Sequence, residues 1–261
     1  MNCLAEKNIV IDGLNISYAE FGDFSKPHLL FLHGWRCDKS ALASIYMPLV
    51  DDYFIVAPDL PGFGNSDEMQ EPWDASRFAD FTAEFIATVG LKDVTAIGHS
   101  NGGRILIKLC GGGYDNIKKL VLIGSSGIKP KRSIKYYFKV YSYKTGKQLL
   151  KLPFFKKPLK KMFEKTIKNA GSGDYRLVSD VLKRTMTLLL NGDLKSVMPR
   201  ITQSTLLMWG EFDTANPLSN AKTMEKLIKD SGLVVFKNAG HFPFLDDKIK
   251  FMAAFKYFLN I

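Results

Sequence analysis

Cysteine is scarce in this chain: three in 261 residues, Cys3, Cys37 and Cys110, widely spaced. An odd, scattered set excludes a disulfide framework and shows no metal-ligand spacing, so the three read as reduced thiols. Histidine is also sparse, at four. No two have paired or HExxH-like spacing, which argues against a bound metal. Long apolar runs are missing. No stretch reaches the roughly 18 apolar residues of a membrane-spanning helix. The opening Met1-Asn2-Cys3-Leu4-Ala5-Glu6-Lys7 lacks the basic segment and apolar core of a signal peptide. The expected compartment is therefore the cytoplasm. There is no internal repeat and no low-complexity tract. The Gly62-Phe63-Gly64 loop is too short and wrongly placed for a dinucleotide fingerprint, so no cofactor is expected.

What remains is a composition of ordinary globular kind, 46% hydrophobic and 24% charged, in a chain long enough for one large domain around a buried sheet. Eight short runs read as strands: residues 8–11, 14–20, 29–32, 54–57, 94–97, 120–123, 205–209 and 233–236. Asp12-Gly13 joins the first two as a hairpin turn. The later ones are short apolar runs, as strands buried on both faces should be. Helical patterns fall at residues 75–89, 102–110, 216–229 and 247–259.

Gly98-His99-Ser100-Asn101-Gly102 lies where the fifth run meets a helical pattern. A serine between glycines at a strand-to-helix junction can be held on a sharp, strained turn that lifts its hydroxyl clear of the sheet. A serine becomes nucleophilic near neutral pH through a histidine base held by a carboxylate. Two partners follow in the chain order Ser, acid, His. Asp213 lies in Gly210-Glu211-Phe212-Asp213 after the seventh run, and His241 in Asn238-Ala239-Gly240-His241-Phe242 after the eighth. Both loops leave the carboxyl ends of predicted strands, where an open parallel sheet keeps its ligand crevice. Glu211 is the alternative acid. Upstream, Leu29-Leu30-Phe31-Leu32 ends in His33-Gly34-Trp35, a turn that can aim a backbone amide into the same crevice.

These pieces, with Asp59-Leu60-Pro61-Gly62-Phe63-Gly64-Asn65-Ser66, resemble the α/β-hydrolase family over essentially the whole chain. The resemblance implies an α/β fold: a mostly parallel eight-stranded sheet flanked by helices, with a helical lid inserted after the sixth strand. It implies Ser100 as nucleophile, His241 as general base and Asp213 as orienting acid. The backbone N–H groups of Trp35 and Asn101 would form the oxyanion hole. Gly34, Trp35, Tyr137, Tyr141 and Phe242 are the candidate substrate-binding residues. A serine at the elbow suits acyl transfer, and carboxylester hydrolysis is the leading expectation. Thioester hydrolysis, carbon–carbon hydrolysis, peracid formation and aminopeptidase activity occur on similar scaffolds. A non-catalytic ligand-binding module is the alternative of another class.

The expected core is residues 1–127 and 201–261, and the lid is residues 128–200. That insertion holds 19 Lys+Arg against 4 Asp+Glu, a net of +15, while the rest of the chain nets −5. Its apolar residues recur at helical spacing: Ile134, Tyr137, Phe138 and Tyr141, then Phe155, Leu159, Met162 and Phe163, then Leu177, Val178, Val181, Leu182, Met186 and Leu189. A basic face on such helices either solvates the lid or attracts an anionic substrate, an acidic carrier protein or a membrane surface. With no recognised binding motif beside the lysines, nucleic acid is not the expected partner. The small-molecule acyl substrate is. Among other residues, His99 reads as a packed structural histidine facing away from the substrate, and His33 as the shaper of the oxyanion turn. His28 reads as an ordinary residue before its strand. Arg104 reads as either a contact to a substrate carboxylate or an ion pair within the protein.

Overall fold

A computed structural model describes residues 5–130 and 178–261. Eight strands form one sheet: β1 (Ala5–Ile11), β2 (Leu14–Phe21), β3 (His28–Leu32), β4 (Phe54–Pro58), β5 (Val94–His99), β6 (Ile117–Ile123), β7 (Ser204–Gly210) and β8 (Ser231–Phe236). Their spatial order is β1-β2-β4-β3-β5-β6-β7-β8. β1 and β2 pair antiparallel with each other, and β2 pairs antiparallel with β4. All other neighbours are parallel. Among the described residues five helices have ten residues or more: α1 (Ala75–Val89), α2 (Asn101–Gly111), α3 (Asp180–Asn191), α4 (Leu218–Leu227) and α5 (Lys248–Leu259). The expected α/β class with a mostly parallel eight-stranded sheet is what the chain forms.

The continuous apolar runs become strands because each feeds two cores at once. Side chains alternate across a strand, so Leu30 and Leu32 enter one core while Leu29 and Phe31 enter the other. The same division holds for Leu120 and Leu122 against Val121 and Ile123 in β6, and for Leu207 and Trp209 against Leu206 and Met208 in β7. Phe78, Phe81 and Phe85 of α1 and Ile105, Leu106 and Leu109 of α2 fill the first core. Phe251 and Phe255 of α5 fill the second with Phe236 and Phe244. Truncating one such buried phenylalanine to alanine costs about 3–5 kcal/mol.

Helix boundaries follow their caps. Asp74 accepts the Arg77 N–H at the start of α1, and Gly90 ends it with φ 79°. The helix expected over residues 216–229 is shorter, Leu218–Leu227. The Asn216 N–H donates to Asp213 and its side chain to the Gly124 carbonyl, and Pro217 takes the N-cap position without a side-chain capping bond. At the other end Ile228 has extended backbone angles.

Of the expected lid, the described part is its entry at residues 128–130 and its return from residue 178. The return forms α3, with Ser179 accepting the Leu182 N–H at its start. α3 buries Leu182, Thr185 and Leu189. Its Thr185 Oγ1 accepts the Trp73 N–H at 3.1 Å. The first two amphipathic stretches of the insertion, with Tyr137 and Tyr141, lie outside the described residues, as does Cys3. No helix of the described residues is long and apolar enough to cross a membrane.

Candidate active site

Parallel register brings five loops to one edge of the sheet. Leu32 sits opposite Gly98, His99 opposite Ile123, Ile123 opposite Met208, and Gly210 opposite Phe236. The segments leaving β3, β5, β6, β7 and β8 therefore start side by side, although Gly34 and His241 are far apart in the chain.

Ser100 lies between β5 and α2 with φ 51° and ψ −108°. A left-handed non-glycine residue of this kind costs on the order of 1–3 kcal/mol and persists only where its surroundings hold it. Here its N–H donates to the Ile123 carbonyl at 3.0 Å, and its carbonyl accepts from Arg104 N–H at 3.2 Å and Ser126 N–H at 2.9 Å. The flanking glycines are sterically required. A Cβ on Gly98 would lie 2.5 Å from the Gly103 nitrogen, and one on Gly102 would lie 2.2 Å from the Leu32 carbonyl oxygen. Asn101 opens α2, so its backbone N–H belongs to the first turn and has no acceptor within the helix. Its buried side-chain Nδ2 has no hydrogen-bond partner among the described residues.

The turn after β3 is set by His33. Its Nε2 accepts the Leu60 N–H at 2.9 Å, which leaves the proton on Nδ1 to be donated to the Gly34 carbonyl at 2.8 Å. Burial lowers the pKa of this ring and keeps it neutral. Cys37 N–H reaches the same carbonyl at 3.2 Å. In a trans peptide the next N–H points the opposite way, so these two bonds direct the Trp35 N–H away from His33. The Trp35 ring packs edge-on to Phe63 at 4.9 Å.

Asp213 and His241 meet: His241 Nδ1 donates to Asp213 Oδ2 at 2.8 Å. The other carboxylate oxygen accepts the N–H groups of Ala215 at 2.9 Å and Asn216 at 2.8 Å. The His241 side chain is 19% exposed, while that of Asp213 is fully buried. Glu211, the alternative acid, is exposed, and its Oε2 accepts the Asn238 N–H at 3.2 Å. Phe242 is partly exposed, with its ring 5.2 Å from that of His241.

Two further residues build the site that sequence reasoning passed over. Asn216 donates from Nδ2 to the Gly124 carbonyl at 2.8 Å and to Ser126 Oγ at 3.2 Å, tying the acid loop to the end of β6. Its one sequence signal is its position three residues after Asp213. Gly124 lies beneath the pair: a Cβ there would approach Asp213 Oδ2 to 3.1 Å and His241 Nδ1 to 3.2 Å.

The ion pair expected of Arg104 within the protein is not made among the described residues. Instead its Nη1 donates to the carbonyls of Leu189 and, at 3.4 Å, Gly192, at the end of α3. Burial lowers its pKa to about 10. Helix-end carbonyls carry partial negative charge, which gives a buried guanidinium a partner without a carboxylate. His28 bridges the Phe24 carbonyl and Lys92 N–H, a packing role. Among the described residues no cluster of three or more His, Cys, Asp or Glu side chains is placed to hold a metal.

Residues 29–255 match the model of a family described as the alpha/beta hydrolase family. The AB hydrolase superfamily protein YisY of Bacillus subtilis is 28% identical over 253 residues, spanning 89% of this chain and 91% of its own. A pimeloyl-[acyl-carrier protein] methyl ester esterase of Aliivibrio fischeri is 24% identical over 244 residues, 89% of this chain and 93% of its own. Among solved structures, an esterase from Exiguobacterium antarcticum superposes with a TM-score of 0.76 at 25% identity, covering 98% of this chain and 99% of that one.

Proposed function

The chain belongs to the alpha/beta hydrolase family, and from that premise we propose that it cleaves a carboxylic ester through an acyl-enzyme on Ser100. Ester hydrolysis in general is what its esterase relatives support. The observation that carries the finer reading is the 2.8 Å bond between His241 Nδ1 and Asp213 Oδ2, on the sheet edge where Ser100 occupies a strained turn.

In this mechanism Asp213 holds His241 with its proton on Nδ1, so that Nε2 carries the lone pair. His241 Nε2 takes the proton of Ser100 Oγ as that oxygen bonds to the ester carbonyl carbon. The carbonyl oxygen becomes an oxyanion, stabilised by the N–H groups of Asn101 and Trp35. The tetrahedral adduct collapses, the carbon–oxygen bond to the leaving group breaks, and His241 gives its proton to the departing alcohol. Water then attacks the acyl-enzyme, losing its proton to His241 Nε2. The second collapse releases the carboxylic acid and returns the proton to Ser100. The positive end of α2 adds to the field at the developing anion.

The insertion bears on the substrate. A net charge of +15 over residues 128–200 favours an acyl group that is itself anionic or is delivered by an acidic carrier. One relative is named for an ester held on an acyl carrier protein. Gly34, Trp35 and Phe242 from the core, with Tyr137 and Tyr141 from the insertion, are the residues proposed to contact the acyl chain.

The test is turnover of a chain-length series of p-nitrophenyl esters by the wild type and Ser100→Ala, with fluorophosphonate labelling alongside. The expected result is a maximum at one chain length, with loss of at least about a thousandfold in the variant. Turnover that survives Ser100→Ala would overturn the assignment.

A further inference from the structure

His99 is the last residue of β5 and immediately precedes Ser100. Its residue exposure is 1%, so both ring nitrogens must be accounted for inside the protein. Nε2 lies 3.0 Å from the backbone carbonyl oxygen of His241. A carbonyl only accepts, so Nε2 carries the hydrogen and Nδ1 is left as a bare lone pair. That Nδ1 has no hydrogen-bond partner among the described residues. It faces the turn after β3, where a Cβ built on Gly34 would stand 2.9 Å from it and 3.3 Å from the Cβ of Ser100.

A buried acceptor without a partner destabilises the fold, because it has lost its bond to water and gained none in return. Packing alone does not explain it, because a phenylalanine would fill similar volume without that cost. The surroundings are aromatic: the His99 ring centre lies 4.7 Å from that of His241, 4.9 Å from Phe242 and 5.6 Å from Phe244. What a phenylalanine cannot supply is the Nε2 hydrogen bond. Through this one side chain the elbow touches the loop of the base and the turn that carries Trp35.

We propose that His99 is a positioning residue: its Nε2–H···O=C bond to His241 hangs the base loop from the nucleophile elbow and fixes how His241 meets Ser100. The proposal rests on the Ser100–Asp213–His241 reading above. Asp213 holds the His241 ring at one point only, its Nδ1. A ring held at one point swings about that contact unless the backbone carrying it is also fixed, and His99 fixes that backbone. Displacement of a reacting group by about 1 Å is enough to cost on the order of a hundredfold in rate. Burial, and after it the adjacent His241, holds the pKa of His99 down at about 3. His99 therefore stays neutral beside His241 when the latter takes up the Ser100 proton.

Three substitutions separate positioning from packing. Glutamine places an amide N–H near the Nε2 position, asparagine places one near Nδ1, and phenylalanine keeps the ring and loses both. The readouts are kcat and KM on one p-nitrophenyl ester, the rate of fluorophosphonate labelling of Ser100, and melting temperature. Positioning predicts that His99→Gln keeps kcat within about fivefold, and that His99→Asn and His99→Phe lose about tenfold or more with KM changed less than about threefold. Labelling should slow in the same order. A phenylalanine variant at least as active as the glutamine one would overturn the proposal, since ring packing would then suffice. If the phenylalanine variant fails to fold, the two amides decide, and equal losses in both overturn it. A wild type that neither labels nor turns over any ester defeats the Ser100 reading itself, and this proposal with it.

Discussion

Asp213 illustrates how one side chain is committed to a single task. Its two oxygens take three hydrogen bonds, from His241, Ala215 and Asn216. An asparagine there would present either an NH2 to His241 Nδ1 or an oxygen to it while its NH2 faces the N–H groups of residues 215 and 216. The first choice forces the imidazole proton onto Nε2, the wrong tautomer for a base. Asp213→Asn should therefore lower kcat by on the order of 10⁴, with the protein still folded. Glu211→Gln is the control: its carboxylate is exposed and, among the described residues, accepts from the Asn238 N–H, so activity should stay within about twofold. Pre-steady-state kinetics on an activated ester read both, and equal losses would mean that the acid has been misassigned. At this scale the positions of Ser100, Asp213 and His241 were legible, because each follows a strand end at short range. Asn216 and Gly124 were not legible, because their roles arise only when β6 and the loop after β7 meet.

Among the elements, the strands were the most legible and the helix ends the least. A run such as 29–32, buried on both faces, has one reading. A helix boundary is instead decided by competing partners, as Asn216 shows by leaving the expected helix for the Asp213 loop. α3 was legible from its apolar spacing, but not its fastening. Among its hydrogen bonds to the core, Thr185 Oγ1 accepts the Trp73 N–H on the buried face, and the Leu189 and Gly192 carbonyls at the helix end accept from Arg104. Since Arg104 N–H also donates to the Ser100 carbonyl, the same residue belongs to the elbow and to the end of the insertion. Arg104→Met keeps the bulk of the stem and leaves two helix-end carbonyls short of a charged donor. Urea unfolding should show a loss of about 1–3 kcal/mol. Stability unchanged within about 0.5 kcal/mol would mean that the guanidinium does not fasten α3 and is free for another partner.

Across the whole molecule, charge is divided unevenly along the chain. Residues 128–200 carry a net +15 and the remainder −5, and this division was fully legible because summed charge needs no fold. What it does is set by distance and salt. Charges separated by more than a Debye length, about 10 Å at 0.1 M salt, hardly act on each other. A basic insertion that only solvates its own surface would leave catalysis indifferent to ionic strength. One that gathers an anionic substrate would make kcat/KM for that substrate fall as salt screens the attraction. The decisive comparison is between two p-nitrophenyl esters of equal chain length, one ending in a methyl group and one in a carboxylate. Between roughly 20 and 300 mM sodium chloride the carboxylate ester should lose at least about threefold in kcat/KM, while the neutral ester should change by less than about 1.5-fold. Parallel salt responses would remove the anionic substrate from the proposal and leave the lysines as a solvated face. A fall confined to kcat would place the effect after binding, where attraction by the insertion has no part.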